Sequence, residues 1–498
     1  MRNNRKPLCL VTLLVILLTA ASCGPWVMEP EATAENSMLP HNLRDQFLPD
    51  LENLTGASQY TLTADISLED GVMYVRGEEQ IAYTNQEQQP LDVIYLRLFP
   101  NVSGDYLSIS GLTINDEKVE PVLMHEKTTA RLDLSEPLDP DESLLIALDY
   151  EAAVPGEMAG NYGLYTYTDD ILALDAFFPI IPVFEDGEWQ VEAPPINADM
   201  FYTDPAFFTV TVTAPEDYVI AAGGREISKK WDKMSQIVTF SGGPMRDFYL
   251  AASPRFVSEA RDHNGVMVTS FFVEEFRSAG ERVLKIAIDA LDAFENRFGL
   301  YPYDELDLVS TPMQAGGMEY SGITALGIQF YDPASSIQGG GMPGSVFLEA
   351  ATAHEIAHMW FYGQVMTDQI DEPWMDESLV QYVTSLYYLD AYGPAGQNGF
   401  MDSLEARWDR VEREPVPIGM AAAGYSPLEY GAIVYGRGAL FFADLADLMG
   451  TEKFEKFLSQ YIAAYRWSTA RPDDFLSMAS DVCGCDLTAL IEEYGVDS

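Results

Sequence analysis

From Tyr60 the apolar positions recur at every second residue: Tyr60, Leu62, Ala64 and Ile66 alternate with Thr61, Thr63, Asp65 and Ser67. The same alternation returns at Phe208, Val210 and Val212 against Thr209, Thr211 and Thr213. A period of two puts one set of side chains on each face of a strand, so both stretches predict half-buried strands. Turn signals such as Glu69-Asp70-Gly71 and Asp139-Pro140-Asp141 punctuate the region, and residues 52–258 are expected to form an all-β, sandwich-like domain. Past Asn264 the period lengthens. Val283, Ile286, Ala290, Leu291 and Phe294 keep helical spacing, and Gly299 ends the segment as a C′ glycine. Further helices are predicted around residues 346–361, 374–391, 434–449, 452–466 and 473–482. Pro373 should open the second of these at N1, which places Glu377 in its early turns. The third should run from Val434 to Gly450, with Thr451 capping the next. Gly339-Gly340-Gly341 lacks a following Lys-Ser/Thr, so it reads as a connector rather than a phosphate loop.

The N-terminus breaks both periods. Arg2, Arg5 and Lys6 precede an apolar run from Leu8 to Ala21. At ~1.5 Å per residue the run spans roughly 20 Å, short of a ~30 Å hydrocarbon core, which suits a signal peptide over residues 1–22. It ends Ala20-Ala21-Ser22-Cys23, a sequence that resembles a bacterial lipobox apart from Ala20 where leucine is usual. Cys23 is then the expected acylated residue, a lipid anchor to the cell membrane at its extracytoplasmic face. Residues 23–51, with prolines, acids and few periodic apolar positions, read as a tether. Cys483 and Cys485 are close for a disulfide and lack the partner pair of a structural zinc site, so packing or an adventitious thiol pair is the expectation.

Charge narrows the partners. Across 498 residues, 78 acidic and 28 basic side chains give a formal net charge of −50. Such a surface repels nucleic acid, so no nucleic-acid partner is expected. Acidity of this degree needs no binding function, since solubility or a salty habitat accounts for it.

The chemistry concentrates in one stretch. The chain has five histidines, and two of them stand four apart in His354-Glu355-Ile356-Ala357-His358. Positions i and i+4 share a helix face, so two imidazoles can meet one metal ion with Glu355 beside it. A catalytic zinc takes three protein ligands and keeps one position open. Glu377, on Asp371-Glu372-Pro373-Trp374-Met375-Asp376-Glu377, is a candidate third ligand. In that set Glu355 is placed to take a proton from water and deliver it to a leaving amine.

The surrounding motifs carry a resemblance. His354-Glu355-Ile356-Ala357-His358-Met359-Trp360-Phe361 looks like the zinc helix of the aminopeptidase N family of gluzincins. Eighteen residues separate His358 from Glu377, as they separate the second histidine from the ligand glutamate in that family. Trp374-Met375-Asp376-Glu377-Ser378 resembles its Trp-Leu-Asn-Glu-Gly signature, with Asp376 and Ser378 as departures. Gly316-Gly317-Met318-Glu319-Tyr320 resembles its Gly-Ala-Met-Glu-Asn exopeptidase motif, with Tyr320 replacing asparagine. Tyr435-Gly436-Arg437-Gly438 resembles the segment carrying its catalytic tyrosine.

The resemblance implies roles residue by residue. Glu319 would bind the substrate's free α-ammonium, and Gly316, Gly317 and Met318 would line the peptide's path. Tyr435 would donate to the oxyanion, with Tyr430 in support. His354, His358 and Glu377 would hold one Zn2+ per chain. The implied fold is a multidomain α+β chain, an N-terminal β domain followed by a thermolysin-like, mostly α catalytic domain over 259–498. The large C-terminal helical domain of many relatives is expected to be missing. The implied function is a zinc aminopeptidase that trims short peptides with a free N-terminus outside the cytoplasmic membrane. The alternatives are a zinc endopeptidase or other hydrolase on the same site, or a non-catalytic binding lipoprotein. A lost ligand, base or tyrosine would mark the last, and none is lost.

Overall fold

The computed structural model describes residues 39–158, 162–192, 195, 198, 200, 202–336 and 342–496. The signal peptide, Cys23, the first part of the tether and the Gly339–Gly341 connector therefore lie outside the described residues. Residues 39–498 group as one compact unit, with a β-rich half preceding a helical half.

The period-two segments become the centre of the largest sheet. Gln59–Glu69 buries Tyr60, Leu62, Ala64 and Ile66 on one face, and Ala206–Pro215 buries Phe208, Val210 and Val212. These two strands pair in parallel, with Tyr60 opposite Phe208 and Leu62 opposite Val210. The eight-stranded sheet runs Arg225–Asp232, Ser235–Met245, Ala206–Pro215, Gln59–Glu69, Val72–Thr84, Ser143–Val154, Leu107–Ile114, Glu117–Lys118. A three-stranded sheet (Leu91–Arg97, Thr129–Leu138, Val122–Met124), a four-stranded sheet (Val219–Ala222, Leu250–Ser253, Ile171–Leu174, Tyr165–Thr168) and a two-stranded one (Phe184–Glu185, Glu188–Trp189) complete the β-rich half among the described residues. Trp189 is buried there, donating its indole N–H to the Val93 carbonyl at 3.1 Å.

The change of sheet comes between Ser253 and Phe256. Phe256–His263 already belongs to a five-stranded sheet continuing through Val266–Val273, Glu305–Thr311, Ile323–Gly327 and the edge strand Gly317–Tyr320. The helical half thus opens with strands, and among the described residues eight helices follow or interrupt them: α1 (Arg277–Phe298), α2 (Gly344–Ala357), α3 (Glu377–Trp408), α4 (Pro427–Ala432), α5 (Gly438–Met449), α6 (Thr451–Tyr465), α7 (Pro472–Cys483) and α8 (Thr488–Tyr494). Helix α1 buries the apolar stripe read from the sequence and stops at Gly299, whose φ is 102°. The edge strand pairs antiparallel with Ile323–Gly327, Glu319 opposite Thr324, and α2 packs against both strands.

Three expectations change in detail. Helix α3 does not start at Pro373: a short 3₁₀ turn, Pro373–Met375, precedes it, and Glu377 is its first residue. The segment from Val434 is a π-helical turn, Ile433–Arg437, and α5 starts only at Gly438. The tether does not extend free to residue 51. Arg44 donates to the Tyr301 carbonyl at 3.0 Å and pairs with Glu295 at 3.1 Å, Leu43 bridges to Tyr303, and Asp45–Asn53 forms a 3₁₀ helix. Phe47, buried there, anchors that segment to the body.

Cys483 and Cys485 are joined as a disulfide, against the expectation of free thiols. Gly484, at φ 67°, takes the left-handed conformation that ends α7 and swings Cys485 back toward Cys483. Among the described residues no helix is long and apolar enough to cross a membrane.

Candidate metal centre and its cleft

Helix α2 is buried on every side from Ala351 to Ala357, unusual for a segment carrying two histidines and a glutamate. His354 and His358 fall one turn apart, and α3 meets them with Glu377 at its first residue. The ligand atoms converge. His354 Nε2 lies 3.0 Å from Glu377 Oε2 and 3.1 Å from His358 Nε2, and His358 Nε2 lies 3.5 Å from Glu377 Oε2. Zinc bonded to nitrogen and carboxylate oxygen at ~2.0–2.1 Å in a tetrahedron separates its donors by roughly 3.3 Å, so this triangle fits Zn2+ with one position left open.

Charge supports the same reading. Burial pushes His354 down to about 4, so its imidazole stays neutral, as a ligand must. At His358 burial also opposes the charged form, but the carboxylates of Glu319, Asp376 and Glu377 overcome it and raise the pKa well above the ordinary value. Burial would raise Glu377, yet hydrogen bonds from His354 and His358 hold it well below the usual range. The carboxylates around His358 thus favour a positive charge at this position, met by a proton on His358 or by a metal ion that displaces it. Behind it, His358 Nδ1 lies 2.7 Å from Asp376 Oδ1 and 3.2 Å from the Phe361 carbonyl, fixing the ring so that Nε2 faces the donors.

The remaining residues singled out in the sequence assemble around this set. Glu355, Glu319 and His358 offer ligand-type atoms within 4.8 Å of one another, so Glu319 stands beside Glu355, the expected base. Glu319 is 3 % exposed and accepts from Gln369 Nε2 at 3.4 Å. Gly317 makes the approach possible: a Cβ there would sit 2.3 Å from Glu355 Oε1. At Gly316 a Cβ would meet Phe347 Cζ at 2.7 Å. Both glycines thus admit the protein's own side chains into the cleft wall. Tyr320, the departure from asparagine, stacks on Tyr249 with ring centroids 4.2 Å apart and does not line the cleft.

Tyr435 sits in the π-helical turn, a local widening common at functional sites. Its hydroxyl donates to Glu377 Oε1, and its ring centroid lies 6.0 Å from that of His354 and 5.8 Å from that of Tyr430. Ser378, the other departure, has a structural role. Its hydroxyl donates to the Val434 carbonyl at 2.6 Å, tying the start of α3 to the turn that carries Tyr435.

A cleft of about 330 Å³ opens over the centre, lined by Gly316 to Glu319, Phe347, His354, Glu355, Glu377, Gln381, Phe400, Arg407, Tyr430 and Tyr435 among others. Arg407 was not apparent in the sequence, since nothing in Ala406-Arg407-Trp408 marks it. Nor was the buried support beneath the centre. Asp247 accepts from Tyr362 Oη at 2.6 Å and from the Ser321 N–H at 3.0 Å. The Arg246 guanidinium lies 4.5 Å over the Tyr362 ring and donates to the Thr367 carbonyl at 3.3 Å.

The model of the peptidase family M1 domain matches residues 282–494, the segment that contributes both histidines, both glutamates of the metal helix pair, Glu319 and Tyr435. Residues 282–494 are thus similar to the M1 peptidase domain. The M1 match extends to curated relatives. Aminopeptidase 2 of Candida albicans is 24% identical over 307 residues, 58% of this chain and 33% of its own length. Aminopeptidase M1-B of Oryza sativa subsp. japonica is 26% identical over 301 residues, 57% of this chain and 34% of its own. The chain thus spans about a third of the length of these relatives. The fold is similar to that of the M1 zinc metallopeptidase from Deinococcus radiodurans, at TM-score 0.62 and 18% identity, covering 89% of this chain and 92% of that one. A mutant of that metallopeptidase bound to a Tyr-Ser-Ala substrate aligns at TM-score 0.62 and 19% identity, covering 89% and 94%.

Proposed function

We propose that this chain is a zinc aminopeptidase that removes the N-terminal residue from short peptides. The observation that carries the reading is the placement of Glu319 beside Glu355 and His358. A carboxylate in that position adds nothing to the His354–His358–Glu377 ligand set, but it can hold an ammonium group one residue from the scissile carbonyl.

His354, His358 and Glu377 would hold Zn2+, which when bound would supply Lewis acidity toward the scissile carbonyl. The chain's own groups do the rest. Glu319 binds the substrate amine and so measures one residue from the chain end. Glu355 takes the proton of the attacking water and delivers it to the leaving amine. Tyr435 donates its hydroxyl to the oxygen that gains charge in the transition state, a change of partner from Glu377. Buried walls around α2 exclude competing water and strengthen each of these contacts.

The Deinococcus radiodurans neighbour bound to a tripeptide supports short peptides as the substrate class. The basic and apolar N-terminal residues and Cys23 support an extracytoplasmic protein held at the membrane by a lipid, a reading that Cys23→Ser tests through loss of labelled fatty-acid incorporation. The catalytic reading is tested with paired peptides, one with a free N-terminus and one N-acetylated. The free peptide should release its first residue and lose that turnover to a chelator, while the acetylated one should resist. Equal cleavage of both would assign the site to an endopeptidase.

A further inference from the structure

In a chain with 78 acidic and 28 basic side chains, nearly every arginine should find a carboxylate, and most do. Arg44, Arg76, Arg225, Arg277, Arg297 and Arg413 all sit in ion pairs. Arg407 does not. Half-buried in the wall of the cleft, it makes no ion pair or hydrogen bond among the described residues. It is the only arginine or lysine among the described residues that line the cleft, and the three carboxylates there already have work as ligand, base or amine anchor.

Its position is built. Helix α3 supplies the backbone, and the π-helical turn closes on its stem, where a Cβ on Gly436 would lie 3.1 Å from Arg407 Cβ. The guanidinium carbon stands 5.7 Å over the Tyr435 ring. Burial, with Arg410 nearby, pulls its pKa down despite partial compensation from Tyr435 and Glu377. Holding an unpaired guanidinium in a low-dielectric wall is costly unless a ligand completes it.

Resting on the aminopeptidase reading of the same cleft, we infer that Arg407 is a subsite for a substrate carboxylate. The carboxylate has two sources in a peptide, its C-terminus or an acidic side chain. A cleft of about 330 Å³, at the small end of ligand-sized sites, favours the first, because the C-terminus of a very short peptide then falls inside it. Glu319 and Arg407 together would read both ends of the substrate. Glu319 neighbours Glu355 and His358, whereas Arg407 neighbours Tyr435. A guanidinium presents a planar fork matched to a carboxylate, which explains arginine here rather than lysine.

Binding tests this without turnover. Zn2+-loaded full chain carrying Glu355→Gln is titrated calorimetrically with Ala-Ala-Ala, its C-terminal amide and the amide of Ala-Glu-Ala. The free acid should bind about tenfold or more tighter than the amide, the scale of a charge-assisted contact. Adding Arg407→Gln should bring that ratio to about one, and Arg407→Lys should restore part of it. The ratio within one protein cancels any loss of folded fraction. Affinity recovered by Ala-Glu-Ala amide, and abolished by Arg407→Gln, would support the carboxylate subsite with a side chain as the source. Equal binding of acid and amide with Arg407 intact, or a ratio that survives Arg407→Gln, would overturn the inference and assign Arg407 to packing on Tyr435. Failure of the aminopeptidase reading shows instead in the N-acetyl comparison, where both peptides would be cut.

Discussion

At the scale of the residue, the proposed mechanism gives Glu355, Glu377 and Tyr435 separable signatures, because each would touch a different part of the reaction. Glu355→Gln removes the base and leaves the three ligand atoms in place, so zinc stoichiometry by atomic absorption should stay near one while kcat collapses. A near-normal kcat would mean another group moves the proton. Glu377→Ala removes one of three ligands and should strip the metal on dialysis; full occupancy in that variant would remove Glu377 from the ligand set. Tyr435→Phe keeps the ring against His354 and Tyr430 but takes away the hydroxyl. The expected loss is about 10²-fold or more in kcat, the effect of one oxyanion donor, with zinc retained. An unchanged kcat would assign oxyanion stabilisation elsewhere.

At the scale of the element, the site depends on how α3 and the π-helical turn are locked together. Ser378 Oγ reaches the Val434 carbonyl, and Gly438 leaves it room, since a Cβ there would lie 2.1 Å from Ser378 Oγ. Gly438→Ala should therefore displace the turn, lower stability by about 1–3 kcal/mol as overpacking does, and depress kcat through Tyr435. Ser378→Gly in the same chain empties the space and should recover much of both losses, read by thermal denaturation and initial rates. If the double variant is no better than Gly438→Ala, the clash is not the cause. This coupling also marks what was legible in the sequence. The helix spacing of His354 and His358 is local, so an i, i+4 pattern revealed it. That Ser378 bonds the Val434 carbonyl, 56 residues away, has no local signal. The π-helical turn read as ordinary helix because its apolar residues keep nearly helical spacing. The docking of residues 42–53 was invisible for the same reason: Arg44 finds its partners, Glu295 and Tyr301, more than 250 residues along the chain.

At the scale of the whole molecule, period two and the change to helical period after Asn264 foretold a β-rich half followed by a helical one. The buried polar layer between them was not foretold, since Arg246, Asp247, Ser321 and Tyr362 meet only in the folded chain. That layer makes stability depend on pH. Burial raises Asp175 to about 7 and Asp247 to about 6, against an ordinary value near 3.8. For Asp175, whose Oδ1 has no hydrogen-bond partner among the described residues, the folded state binds a proton that the unfolded chain has released. Its contribution to stability is complete below about pH 4 and is lost as pH rises to about 7. Asp175→Asn cannot ionise, so its unfolding free energy should gain on that of the parent with rising pH. The gain should approach roughly 1.4 kcal/mol per pH unit between about pH 5 and 6, and level off above about pH 7. Urea unfolding of both proteins between pH 5 and 8 measures the difference directly, and taking the difference cancels metal loss and the general repulsion of a −50 chain. A gap independent of pH would mean that Asp175 is ionised in the folded protein and that its charge is met by a group the buried layer does not reveal.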